Sequence, residues 1–129
     1  EPPPVRMTVP GRVRFGDWEL IAEICRDLDE VPGPDVATLD AAALGSQLEV
    51  RAWRSGDRIR PLGLGGSKSL QDLFTDRGVP RSQRGRVPVV TAGGRVAWVA
   101  GVAVSEEFRL GERSSGIAVI RARPASQAS

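Results

Sequence analysis

The stretch Gly63-Leu-Gly-Gly-Ser-Lys-Ser69 is where residue type and spacing first suggest chemistry. A glycine-rich turn feeding a helix start can hold a phosphate through backbone N–H donors, with Lys68 as the counter-charge. A nucleotide-binding P-loop is excluded, because that motif needs Gly directly before its Lys and Ser67 stands there. A dinucleotide fingerprint is excluded as well, since Leu70 would have to open a long helix within a βαβ unit. A site for one phosphate, or a tight turn with an exposed Lys, remains. Glu106-Glu107 is the second candidate. On a strand these carboxylates point to opposite faces and cannot share a substrate. Asp57, between Gly56 and Arg58, reads as a turn residue or the partner of an arginine.

The absences exclude more. The chain has no His, so neither a Ser-His-Asp triad nor a Cys-His pair can form. Cys25 stands alone, which rules out an intrachain disulfide and a Cys-rich zinc site. A lone Cys fits a reducing, cytoplasmic setting. No apolar run approaches the roughly 18 residues of a membrane span, so no membrane partner is expected. No metal or cofactor is expected in this stretch of chain.

Charge supplies the positive signal. Residues 1–48 carry 4 basic and 9 acidic side chains, whereas residues 49–86 carry 9 basic and 4 acidic, a swing from −5 to +5. Of the 18 basic residues, 17 are Arg, whose planar donor fork matches phosphate geometry. Arg51, Arg54, Arg58, Arg60, Lys68, Arg77, Arg81, Arg84 and Arg86 are therefore the candidate RNA-binding residues. In extended chain Arg58 and Arg60 share a face, as do Arg84 and Arg86, and Arg51 shares one with Trp53. Some must instead pair with Asp57, Asp72 or Asp76 inside the fold. Trp53, flanked by Arg51 and Arg54, is the tryptophan placed to stack on a base; Trp98 sits in an apolar run and reads as core.

These side chains need elements to position them, and the pattern is that of short strands. Apolar residues alternate from Arg12 to Ile24 around the turn Gly16-Asp17, which suits a two-residue hairpin. Val36–Leu39 reads as a short strand and Asp40–Leu44 as one helical turn stopped by Gly45. Leu48, Val50 and Ala52 alternate with polar residues. Ser69 to Asp72 forms a capping box, with Leu70, Leu73 and Phe74 on one helical face before Gly78 and Pro80. Gly93-Gly94 marks a second hairpin between Val87–Val90 and Arg95–Val99. Ala103-Val104, Phe108–Leu110 and Ile117–Ile120 read as further strands. The fold class expected is mainly β (α+β), with a sandwich-like core of about eight short strands and one or two short helices. Residues 1–4 read as a linker remnant of a longer protein, residues 5–123 as one domain, and residues 124–129 as a disordered tail. At 129 residues, 40% hydrophobic and 26% charged, the chain is long enough for one self-sufficient core.

Residues 48–110 resemble the C-terminal domain of bacterial tRNA(Ile)-lysidine synthetase. The resemblance rests on Leu48-Glu-Val-Arg-Ala-Trp-Arg-Ser-Gly-Asp-Arg-Ile-Arg-Pro-Leu-Gly63, then Gly66-Ser-Lys68, Leu70, Phe74, Val79-Pro80, Arg84, Arg86-Val-Pro88 and Val96-Ala-Trp98-Val-Ala-Gly101. One departure is Ser69, where the family tends to carry a second Lys. The resemblance implies a parent enzyme, using ATP and Mg, that joins lysine to the wobble cytidine of isoleucine tRNA. Its pyrophosphatase loop, Ser-Gly-Gly-x-Asp-Ser, does not occur in this chain. The implied role is a non-catalytic domain that grips tRNA and works beside the parent's catalytic domain. Its implied fold is similar to a module of the phenylalanyl-tRNA synthetase β subunit. The alternative is an interaction module that docks sister domains or a second copy; an independent enzyme has the least support in the residues.

Overall fold

The computed structural model describes residues 1–28, 31–112 and 114–125. Two antiparallel sheets share one hydrophobic core. The first has the order β1-β5-β8-β9-β10: Val5–Thr8, Gln47–Arg51, Val89–Ala92, Arg95–Val99 and Ala103–Val104. The second has the order β2-β3-β11-β4: Gly11–Phe15, Trp18–Cys25, Ile117–Pro124 and Val36–Asp40. Met7, Leu48, Val50, Val90 and Trp98 from the first sheet meet Phe15, Leu20, Leu39, Ala118 and Ile120 from the second in one buried cluster. That is the sandwich-like core the alternation implied. No helix among the described residues is long and apolar enough to cross a membrane.

The hairpins fall where the turn residues placed them. Phe15 pairs with Trp18 across Gly16-Asp17, and Ala92 pairs with Arg95 across Gly93-Gly94. Both glycines of the second turn have positive φ, 58° and 79°. A primed two-residue turn requires this, and its twist matches that of the strands it joins. Asp40 caps the single turn α1 (Ala41–Leu44) through a bond from Ala42 N, and Gly45 ends it.

A second, smaller core lies on the other face of the five-stranded sheet. There the two-stranded ribbon β6-β7 (Arg58–Ile59 with Lys68–Ser69) and helix α2 (Leu70–Asp76) cover Val89, Val96 and Val99. Leu70, Leu73 and Phe74 are the buried face of α2. The helix starts where the capping box put it, with Asp72 N donating to Ser69 Oγ at 3.1 Å. All of β8 is buried because both cores press on it.

Three expectations are corrected. Arg81–Arg84 is a short helix, α3, rather than extended chain, so Arg84 turns inward while Arg86 stays exposed. Glu106–Phe108 is a 3-10 turn capped by Ser105, so the carboxylate pair is not on a strand. The strand after Ile117 runs on to Pro124, which pairs with Trp18, and Ala125 N donates to Asp17 O. The rest of the expected tail, residues 126–129, lies outside the described residues.

One ion pair ties the end of β5 to the turn that leads into the β6-β7 ribbon. Arg51, at the end of β5, donates from Nη1 and Nη2 to the two carboxylate oxygens of Asp57, at 2.8 and 3.0 Å. Arg54 N also donates to Asp57 Oδ2, at 2.7 Å, and Leu70 N donates to the Asp57 backbone carbonyl at 2.9 Å. Gly56, at φ 91°, gives the reversal that lets Asp57 face back toward Arg51. Burial by itself raises the Asp57 carboxyl. The bonds from Arg51 and Arg54 and the charges of those two arginines outweigh it and hold the group below the usual carboxylate range.

Three stability predictions follow from these contacts. Asp57→Ala takes the bidentate partner from buried Arg51 and leaves it only the looser contact with Glu49 at 3.6 Å, which should cost about 2–3 kcal/mol by urea unfolding. A carboxyl lowered in the folded state stabilises fully above its unfolded value of about 4 and loses that contribution as pH falls through the folded value. The stability gap between wild type and Asp57→Asn should therefore be full near neutral pH and narrow as pH falls through the folded value, below the ordinary carboxylate range. Ser69→Ala removes the cap of α2 and should cost about 1 kcal/mol.

Candidate nucleic-acid interface

The nine basic residues singled out by charge divide into three groups. Arg51 and Arg84 are buried, 6% and 8% exposed, and hold the fold. Arg51 is taken by Asp57 and also donates to Ala52 O. Arg84 donates from Nε to Val79 O at 2.9 Å and from Nη2 to Thr75 Oγ1 at 3.4 Å, with its guanidinium over the Phe74 ring.

Lys68, Arg58 and Arg77 are engaged at the surface. The Lys68 ammonium is paired with Asp76. Arg58 donates to Ser67 Oγ from Nε and Nη2, at 3.3 and 3.1 Å. Arg77 donates to Val102 O at 2.8 Å. The glycine-rich turn thus lies beside a lysine whose charge is already met. Ser69 serves as a helix cap. These residues do not fit a polyphosphate cradle.

Arg54, Arg60, Arg81 and Arg86 are exposed, and among the described residues their side chains make no hydrogen bond or ion pair, although the charge of Arg54 also acts on Asp57. Arg58 and Arg60 do share the outer face of their extended segment, with Ile59 buried between them. Arg60 is held there by its backbone, whose carbonyl accepts from Glu106 N at 2.7 Å.

The surface around Arg54 is concave. Arg6, Gln47, Glu49, Arg51, Arg54, Thr91 and the Gly93-Gly94 turn line an open depression of about 510 Å³ on the five-stranded sheet. Arg6 belongs to the acidic first segment and was missed from sequence. It arrives because β1 pairs with β5 and sets Arg6 opposite Glu49. A smaller groove of about 220 Å³ is lined by Trp53, Gln71, Arg81 and Arg84. Trp53 and Arg54, consecutive in the chain, line one depression each. The principal depressions bring no two carboxylates together among the described residues.

Charge balance in the basic segment is now explicit. Of its four carboxylates, Glu49 and Asp57 are met by Arg51 and Asp76 by Lys68. Among the described residues that leaves seven of the segment's guanidinium groups outside ion pairs, six of them exposed, against Asp72 alone. A surface of this kind attracts polyanions, and the arginine fork suits the phosphate diester.

Comparisons with known proteins identify the family. The family model described as the TilS substrate C-terminal domain matches residues 48–121. The tRNA(Ile)-lysidine synthase of Symbiobacterium thermophilum is 41% identical over 104 residues, 79% of this chain and 19% of that protein. That of Caldanaerobacter subterraneus is 31% identical over 113 residues, 88% of this chain and 24% of that protein. This chain therefore spans only about a fifth to a quarter of these relatives. A crystal structure of a TilS C-terminal domain superposes with a TM-score of 0.81 at 26% identity, covering 95% of this chain and 98% of the other. With the sequence match and the superposition pointing the same way, the chain belongs to the family of TilS C-terminal domains.

Proposed function

We propose that this chain is the non-catalytic, tRNA-gripping C-terminal domain of a tRNA(Ile)-lysidine synthase. The parent enzyme would use ATP and Mg to join lysine to the wobble cytidine of isoleucine tRNA in the cytoplasm, with the chemistry carried by its catalytic domain. The observation that carries this reading is the set of exposed guanidinium groups that make no hydrogen bond or ion pair among the described residues, Arg54, Arg60, Arg81 and Arg86, with Arg6 added by the β1–β5 pairing. RNA helices offer phosphates and 2′-hydroxyls on a shallow groove, and proteins read them chiefly by shape. Guanidinium groups spread over sheet, turn and helix edges suit that task.

Titration of isoleucine tRNA at several salt concentrations tests the reading. Each phosphate contact adds about 0.7–0.9 to the log–log salt slope. Arg54→Ala and Arg81→Ala should each weaken binding and lower that slope by about 1, with the thermal melt unchanged. A salt-independent response overturns the reading.

A second contact, with the catalytic domain of the parent chain, is favoured by the apolar loop beside the basic ribbon. Leu62 and Leu64 are about half exposed and line shallow depressions together with Arg77. If the loop docks within one polypeptide rather than between copies, sedimentation should show a monomer with and without RNA. Self-association unaffected by RNA would favour the interaction-module alternative.

A further inference from the structure

The groove between Trp53, Gln71, Arg81 and Arg84 is built differently from the rest of the basic surface. At about 220 Å³ it is smaller than the roughly 300 Å³ at which drug-sized ligand pockets begin. Its aromatic wall is fixed: Trp53 makes an edge-to-face contact with Phe74, centroids 5.7 Å apart at 74°. Such a contact covers at most one face of the indole, and Trp53 is only half-buried.

The cationic wall is fixed too. Arg84 is anchored through Nε and Nη2 and its guanidinium lies over the ring of the same Phe74. Its Nη1 has no acceptor among the described residues. Every sealed side-chain nitrogen or oxygen among them has a partner. Nη1 must therefore reach solvent, and the groove is where Arg84 lines an opening. Gln71 and Arg81, both exposed, complete the rim, and no carboxylate lines it.

We infer that this groove takes one unstacked nucleotide of the bound RNA, its base against Trp53 and its acceptor atoms toward Gln71, Arg84 and Arg81. A base brings a flat π-face together with carbonyl oxygens and ring nitrogens that accept hydrogen bonds, and its phosphate brings the negative charge. The walls offer the complement of each. Stacking on aromatic side chains tolerates any base, so the pocket reads the presence of an unpaired nucleotide rather than its identity. This inference rests on the RNA-binding reading of the surrounding surface.

The test uses three RNA hairpins with one stem: blunt, with a short unpaired 3′ end, and with one bulged nucleotide. Binding is followed by fluorescence anisotropy at fixed salt. Wild type should bind at least one of the unpaired forms about 10-fold tighter than the blunt form, and the two arms show whether the nucleotide comes from an end or a bulge. Gln71→Ala, at an exposed position, should narrow the difference, and Trp53→Ala, checked by thermal melt, should abolish it. Blunt-hairpin binding should be unchanged in both. Equal wild-type affinity for all three hairpins, with a steep salt slope, overturns the groove and leaves the RNA-binding reading standing. A preference that survives both substitutions also overturns it. Failure to bind any hairpin overturns both.

Discussion

A carboxylate drawn out of water must be charge-matched and hydrogen-bonded, or it takes up a proton. Asp57 meets that demand with three donors, two from Arg51 and one from Arg54 N, and its backbone carbonyl receives the first N–H of α2. Four pieces of chain meet in this one residue: the end of β5, the turn at Gly56, the ribbon β6-β7 and the helix. The smaller core has few apolar residues, and its elements are two to seven residues long. Elements that short have little cooperativity of their own. They are held by packing on the sheet and by this ion pair, and the ribbon in turn positions Arg58 and Lys68.

The pair also explains why Arg content is a blunt guide to function. The planar fork that suits a phosphate diester suits a carboxylate equally well, and its separate donors also reach single carbonyl oxygens. Arg51 and Arg84 use it inward, Arg77 spends one donor on Val102 O, and Arg54 and Arg81 keep theirs for solvent. Nothing in the local sequence around these residues separates them. What separates them is whether the backbone geometry brings an acceptor within reach, and that is a tertiary property.

The strands were legible where a turn residue and an alternating pattern coincided, as at Gly16-Asp17 and Gly93-Gly94, and α2 was legible from its cap and its apolar face. The short helix α3 was not. Arg81-Ser-Gln-Arg84 has no apolar periodicity, and its one inward residue is an arginine, so the hydrophobic signal that marks a helix face is missing. The turn at Glu106–Phe108 failed for a related reason, since three residues are too few to show a period. Arg6 lay beyond reach because a contribution from β1 depends on its register against β5, across about forty residues of chain.

The run that carries the family resemblance is mostly a run of structural fixtures. Arg51, Gly56 and Asp57 form the clasp, Lys68 is paired with Asp76, Arg84 is packed on Phe74, and Trp98 is buried in the main core. Pro61 bridges to Ser105 and anchors the glycine-rich loop. What such a resemblance transmits is therefore a shape, and the free guanidinium groups ride on it: Arg54 sits inside the clasp, Arg60 beside the anchor, and Arg86 just past the buried Arg84. A side chain set between two fixed neighbours has its direction decided before any ligand arrives, and less ordering is left to be done on binding. The same residues that look, in sequence, like a scattering of positive charge are in three dimensions spaced by the ion pairs and packed rings that hold the domain together.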